Sequence, residues 1–371
     1  MTNRLDSIRQ LLEKLKMDAV LVTDGYNMHH ISSYSGHEGV LLITEDKAYL
    51  ITDSRYTEAA GKEAPDFEVL DIKGKRYPEY IDELLKKGTS GKVSGRKLKL
   101  GFEDKSISYE AYRKYAAELE GTAELEELGT ALTDLRKVKT ESELSCLAKA
   151  ESIGDDAFAH ITEYLKDNIK NKITETDVAL ELEVYMRKHG ASGLSFDTIV
   201  ASGVNSSMPH AVPTGKIIEK GDFLTMDFGC VYKGYCSDMT RTVFIGGESD
   251  ISDEQRRVYE TVYKAQTESL KLIKPGAKCS DVDRCARDII AEAGYGDFFG
   301  HGLGHGVGLY IHEEPRFSPK CEEELVPGVV ITCEPGIYLP GRFGVRIEDM
   351  VAVTENGYVN LAHSDKQLIF V

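Results

Sequence analysis

No two cysteines of this 371-residue chain stand at Cys-x-x-Cys spacing; the seven, at 146, 230, 236, 279, 285, 321 and 333, are scattered and odd in number. That argues against a thiolate zinc site or a dithiol redox motif and predicts reduced thiols in a cytoplasmic protein. Long apolar runs are missing too: none approaches the roughly 20 residues that cross a bilayer. The polar start Met1-Thr-Asn-Arg-Leu-Asp6 leads into an amphipathic pattern, and no signal peptide is expected there. Positive charge is scarce, with 45 Lys and Arg against 62 Asp and Glu and a formal net charge of −17. Such a surface repels nucleic acid and anionic membrane, so neither is expected as a partner. The sequence also lacks low-complexity tracts and short-period repeats.

What is present is the composition of a globular protein, 41% hydrophobic and 29% charged. At this length two domains are the natural expectation. Leu5, Ile8, Leu11, Leu12 and Leu15 fall on one helical face. Apolar runs at 18–23, 39–44, 47–52, 67–72 and 98–103 read as strands, with helices near 53, around 77–87 and around 108–119. This alternation implies a small α/β domain. Residues 120–140 are charged and poor in apolar side chains, which places a domain boundary there. Beyond it Thr140-x-x-Glu143 and Thr174-x-x-Asp177 read as helix starts. From about 196 the pattern turns to strands and glycine turns, broken by helices at about 252–272 and 280–293.

Three of the ten histidines crowd into His301-Gly-Leu-Gly-His305-Gly-Val-Gly-Leu-Tyr-Ile-His312. Their glycine spacing lets backbone pass close to something small and argues against a helical His-x-x-x-His zinc motif. The carboxylates say more. Phe223-Leu-Thr-Met-Asp227-Phe and Tyr235-Cys-Ser-Asp238-Met-Thr-Arg-Thr-Val-Phe244 read as a hairpin turning at Tyr232-Lys-Gly234. Its two-residue loop pairs positions with an odd index sum, so Asp227 and Asp238 share a face. Two like charges that close, in strands so apolar, require a cation between them. Glu334 and Glu348 repeat the theme at the ends of two further apolar stretches. An irregular Pro335–Gly344 connection between them would leave their faces undetermined. Two Asp, two Glu and a His make an oxygen-rich set suited to manganese, cobalt, iron or zinc, and four carboxylates balance two divalent ions. His305 is the leading imidazole, with His301 on the same face of an extended segment.

Four blocks carry a family resemblance: Phe196-Asp-Thr-Ile-Val-Ala-Ser-Gly203 continuing to Asn205-Ser-Ser-Met-Pro-His210-Ala-Val-Pro213; Asp227 through Thr242; His301 through Pro315; and Glu334-Pro-Gly-Ile-Tyr338 with Gly344-Val-Arg-Ile-Glu348-Asp. Together they resemble the pita-bread metallopeptidases, in the branch of aminopeptidase P and prolidase (Xaa-Pro dipeptidase). The resemblance covers about residues 131–371. It implies an α/β (α+β) architecture, with an accessory α/β domain of the creatinase/prolidase N-terminal type at 1–130 and a catalytic pita-bread domain at 131–371. By position it implies Asp227, Asp238, His305, Glu334 and Glu348 as ligands of two divalent metals, most expectedly Mn²⁺, with Co²⁺, Zn²⁺ or Fe²⁺ as alternatives. His210, His301, His312 and Arg346 are implied around the substrate, and Glu334 is the candidate general base. The expected partners are proline-containing peptides, and a homodimer is expected.

Two departures stand out. Cys333 sits where an apolar residue is more familiar, and predicts a site sensitive to oxidation. Tyr26-Asn-Met-His-His-Ile-Ser-Ser-Tyr-Ser-Gly-His37 fits the accessory-domain pattern poorly. The alternatives are a methionine aminopeptidase-like enzyme, a creatinase-like C–N hydrolase, or a non-catalytic pita-bread binding protein. The last two are expected to have lost ligands, and none is lost here.

Overall fold

A computed structural model describes residues 4–36, 38–88 and 96–371. The Met1-Thr-Asn start and His37, which ends one of the departures above, lie outside the described residues. Contacts divide the chain into Met1–Arg136 and Lys137–Val371.

The first unit is built on a six-stranded mixed sheet in the spatial order Glu68–Asp71, Ala48–Thr52, Val40–Thr44, Ala19–Val22, Leu98–Phe102, Ala123–Glu127. Both faces are apolar because the strands lie between two layers of helix. Val20, Val22, Leu41 and Ile43 pack with Leu5, Ile8 and Leu12 of the first helix. Ala19, Leu21, Val40 and Leu42 pack on the opposite side with Ile81, Leu85, Tyr115 and Leu119.

Three elements here escaped the sequence reading. Gly25–Ser32 is a helix capped by Asp24, whose side chain accepts from Asn27 N. The charged stretch 120–140 contains the strand Ala123–Glu127 and the helix Ala131–Lys137. That strand is at the sheet's edge, where glutamates on the solvent side cost nothing and discourage pairing with another chain.

The second unit sets two helix pairs against two groups of strands. Helices Glu141–Asn168 and Glu175–Lys188 open with reciprocal capping boxes at Thr140/Glu143 and Thr174/Asp177. Their apolar faces pack on Leu224, Met226, Phe228, Met239 and Val243. Helices Asp253–Leu270 and Cys279–Glu292 pack in the same way on Ile331, Cys333, Val345, Ile347 and Val351. Because side chains alternate along a strand, burying these positions under helices turns Asp227, Thr240, Glu334, Arg346 and Glu348 the other way. Both sets of polar residues therefore face a common interior. No described helix is long and apolar enough to cross a membrane.

Candidate metal centre

The first carboxylate pair sits as the hairpin arithmetic requires. Strands Phe223–Phe228 and Met239–Phe244 pair antiparallel, Asp227 opposite Thr240, so Asp238 lies diagonally across from Asp227. Beyond a break at Gly229 the same register continues through Val231 opposite Cys236 to Tyr232 opposite Tyr235. Lys233 and Gly234 make the turn with φ of +49° and +86°, the left-handed pair of a tight hairpin.

The second pair corrects the expectation of an irregular connection. Gly336–Leu339 and Phe343–Arg346 form a hairpin of their own, Gly336 opposite Arg346 and Leu339 opposite Phe343. Val330–Cys333 and Asp349–Thr354 pair in the same register, Cys333 opposite Asp349. Glu334 and Glu348 therefore face each other across the short gap between two collinear ladders. Pro335, which has no N–H to donate, forms part of that gap.

His305 enters from the strand Gly304–Gly306, which lies beside Val330–Cys333. A Cβ on Gly304 would come within 2.0 Å of Thr332 O, and one on Gly306 within 2.4 Å of Glu314 O. Only glycine lets the backbone run so close on either side of the imidazole. His305 Nδ1 lies 3.1 Å from Gly306 O. Donation there selects the tautomer whose Nε2 lone pair is free. That Nε2 lies 3.4 Å from both Asp238 Oδ2 and Glu334 Oε1. Single ligand atoms of Asp238, His305 and Glu348 fall within 4.8 Å of one another, and all three residues are buried.

These carboxylates have few cations to answer them. Arg346 Nη2 is 2.6 Å from Asp227 Oδ2, and Thr240 Oγ1 donates to Glu348 Oε2 at 2.7 Å. Asp227 Oδ1 and Glu348 Oε1 are buried with no hydrogen-bond partner. Burial, and then the mutual repulsion of Glu348, Asp227 and Glu334, drives Asp238 well above the ordinary carboxylate range. Glu348 rises for the same reasons. Burial raises Glu334 to about 8 even though Arg346 pulls it back down. Buried, partnerless oxygens beside mutually repelling carboxylates are the donor set a hard divalent cation takes.

Around this cluster lies a cavity of about 710 Å³, with Phe196, Ile199, Val212 and Phe317 among its apolar walls. All the predicted site residues line it: His210, His301, His305, His312, Arg346 and the four carboxylates. His301 Nε2 is 3.0 Å from the hydroxyl of Tyr338, which accepts in turn from Arg346 Nη1 at 2.8 Å. Burial, followed by the charge of Arg346, lowers His301 to about 4. The ring of His312 packs edge-on to that of His305, centroids 4.6 Å apart. Desolvation and Arg316 lower its pKa as well.

The matches to known proteins agree with this geometry. Residues 145–355 match metallopeptidase family M24, and residues 4–138 match the creatinase/prolidase N-terminal domain. This chain belongs to metallopeptidase family M24. It is 42% identical to an uncharacterized peptidase of Bacillus subtilis, over 99% of this chain and 100% of that one. Among solved structures, the Xaa-Pro dipeptidase from Bacillus anthracis superposes with a TM-score of 0.90 at 39% identity, covering 99% of both chains. The X-Pro aminopeptidase from Thermotoga maritima gives 0.86 at 36% identity, covering 97% of this chain and 99% of that one.

Several residues of this M24 domain that shape the site were not picked out from sequence. Tyr338 links Arg346 to His301, Thr240 holds both Glu348 and Arg346 Nε, and Thr332 Oγ1 bonds His305 N and Glu334. The two threonines lie two positions along a strand from a carboxylate, on the same face, and that spacing was the available signal. The oxidation expectation for Cys333 needs correction. Its side chain points away from the centre into the helix-covered core and is 0% exposed. Burial, followed by the nearby Asp349, pushes the thiol well above its ordinary pKa. A buried, protonated thiol is a poor nucleophile.

Proposed function

We propose that this protein is a divalent-metal-dependent exopeptidase that hydrolyses the bond between an N-terminal residue and a following proline. The observation that carries the reading is the convergence of two strand-paired carboxylate couples and His305 on one cavity, with two buried oxygens left unpartnered. The naming of similar proteins as Xaa-Pro dipeptidase and X-Pro aminopeptidase supports the substrate class.

Asp227, Asp238, His305, Glu334 and Glu348 would hold two divalent ions, Mn²⁺ being the first expectation and Co²⁺, Zn²⁺ and Fe²⁺ the others. Ions bound there supply Lewis acidity at the scissile carbonyl and make water a nucleophile near neutral pH. The remaining work belongs to the chain. Glu334 Oε1 is the candidate proton acceptor. Neutral His312, together with His210 at the exposed rim, would donate to the developing oxyanion or to the departing proline nitrogen. Neutral His301, whose Nδ1–H is taken by Gly302 O and whose Nε2 faces the Tyr338 hydroxyl, would do so only by turning its ring. Arg346 fixes Asp227 and, through Tyr338, the orientation of His301. Substrate proline carries no amide hydrogen and has a fixed φ, so the apolar wall need only accept a kinked ring and supply no acceptor.

The catalytic domain, taken from sequence as 131–371, corresponds in this reading to the second unit, Lys137–Val371, and the first unit is accessory. The seven free cysteines support a reducing, cytoplasmic setting, and a homodimer is proposed by resemblance.

The test pairs metal analysis of purified protein with hydrolysis of Xaa-Pro dipeptides, Xaa-Pro-Yaa peptides and the same peptides with alanine in place of proline. Cleavage confined to proline substrates and dependent on about two ions per chain is expected. Equal cleavage of the alanine peptides would overturn the substrate class.

A further inference from the structure

One buried ion pair lies beside the centre without lining the cavity. Lys139 Nζ is 3.1 Å from Glu313 Oε2, with side chains 2% and 4% exposed. Taking two charges out of water this completely is costly, and a pair so placed calls for a use.

Glu313 directly follows His312 and begins the strand Glu313–Phe317, where it pairs with Gly306 across a register shift after His305. Its carboxylate folds back into the 307–312 connection. Tyr310 N donates to Oε1 at 3.3 Å, and a Cβ on Gly308 would come within 2.5 Å of Oε2. The carboxylate thus fills the inside of the loop that presents His312, and Gly308 leaves it room.

Lys139 is held from the other side. Its backbone N donates to Gly328 O at 2.8 Å, and Val138 bridges to Val329, next to the strand Val330–Cys333 that leads into Glu334. Lys139 Nζ also donates to Lys137 O. Thr140 then caps the long helix, whose Glu143 accepts from the Tyr235 hydroxyl at 2.8 Å, three residues before Asp238. The Lys139 ammonium is therefore anchored to the frame that carries the carboxylates, while Glu313 is part of the loop.

We propose that Lys139 and Glu313 are positioning residues that hold the His312 loop in place over the carboxylate cluster. Glu313 acts by filling the loop, and Lys139 acts through Glu313. A catalytic consequence rests on the peptidase reading, in which His312 meets substrate. The placement of His312 does not.

The test uses the metal-loaded full chain and four variants: Lys139→Met, Glu313→Gln, the double variant, and Lys139→Arg. Reaction of His312 with diethyl pyrocarbonate is followed by peptide mass spectrometry, with His210, exposed like His312, as internal reference. The His312:His210 ratio is expected to move clearly away from its wild-type value in both single variants and in the double variant, and to stay near wild type in Lys139→Arg. On an Xaa-Pro dipeptide, kcat should fall about tenfold to a hundredfold at nearly constant KM and metal content. The double variant removes both members of the pair together, so it keeps the test available should a single variant not fold. An unchanged His312:His210 ratio in the folded variants overturns the proposal. A wild-type protein that cleaves no Xaa-Pro peptide overturns the functional reading instead, and the ratio still decides the placement of His312.

Discussion

Glu348 and Asp349 are neighbours in the chain, 1% and 0% exposed, and the fold treats them in opposite ways. Asp349 points into the helix-covered side, where Arg241 Nη2, Gln266 Nε2, Asn360 Nδ2 and Lys366 Nζ all donate to its two oxygens. Burial alone would raise its pKa, but Arg241 and Lys366 outweigh burial and hold it below the ordinary value. Glu348 points into the cavity, meets one threonine hydroxyl and three other carboxylates, and keeps one oxygen without a partner. Where a negative charge is architectural, the chain supplies its own cations. Where the cations are missing, the charge is kept for something that binds.

The largest test of that contrast is on the cavity side. Asp238→Asn removes a charge from the unanswered cluster and should abolish both metal binding and turnover, read by metal analysis and peptide hydrolysis. Turnover by a metal-loaded Asp238→Asn protein would sink the two-metal reading. On the other side of the strand, Asp349→Asn should leave metal binding by the folded protein in place. It strands the Arg241 guanidinium and the Lys366 ammonium, however. A loss of about 3–5 kcal/mol is expected in urea unfolding. A loss near zero would mean that Asp349 is not the structural charge its shell suggests.

The contrast also sets a pH dependence. Glu334 is raised by burial from 4.5 to about 8. Between those values Glu334 keeps a proton in the folded, metal-free protein that it has released in the unfolded chain, so its contribution to stability is fullest below about 4.5 and is lost as pH rises through 8. Buried His301, lowered from 6.5 to about 4, works in the opposite sense only up to 6.5. Bound divalent cations would favour the ionised carboxylates and remove that slope. Melting temperature measured from about pH 6.5 to 8, with and without chelator, should fall with pH only in the stripped protein. Parallel curves would mean that the carboxylates are not where the metal binds.

How much of this was legible in sequence depended on what fixed each feature. The Asp227–Asp238 relation followed from strand period and a two-residue turn, both local properties. The Glu334–Glu348 relation was equally local, but Pro335 and the glycines around it read as a loop and hid the second hairpin. The helix Gly25–Ser32 was missed because glycine, two histidines and a serine in eight residues are weak helix formers. Its Asp24 cap and the buried Met28 and Ile31 hold it instead. The charged 120–140 stretch does contain the division between the units, at Arg136/Lys137, but it hid the strand Ala123–Glu127 because an edge strand needs only one apolar side. The buried pair Lys139–Glu313 was out of reach, since nothing local links residues 174 positions apart.

The smallest effect expected separates the two faces of a single strand end. Glu334 faces the cavity and Cys333, one residue earlier, faces the core with Gln266 O 3.9 Å from its sulfur. A site whose oxidation ran through Cys333 would be protected by Cys333→Val. Buried and held protonated, the thiol should react slowly with peroxide, and exchange for a similar apolar volume should cost about 1 kcal/mol or less. Peroxide inactivation of Cys333→Val should therefore match wild type within about twofold. Strong protection would mean that peroxide reaches the covered face, and with it that the helix pair over that strand opens far more readily than its packing implies.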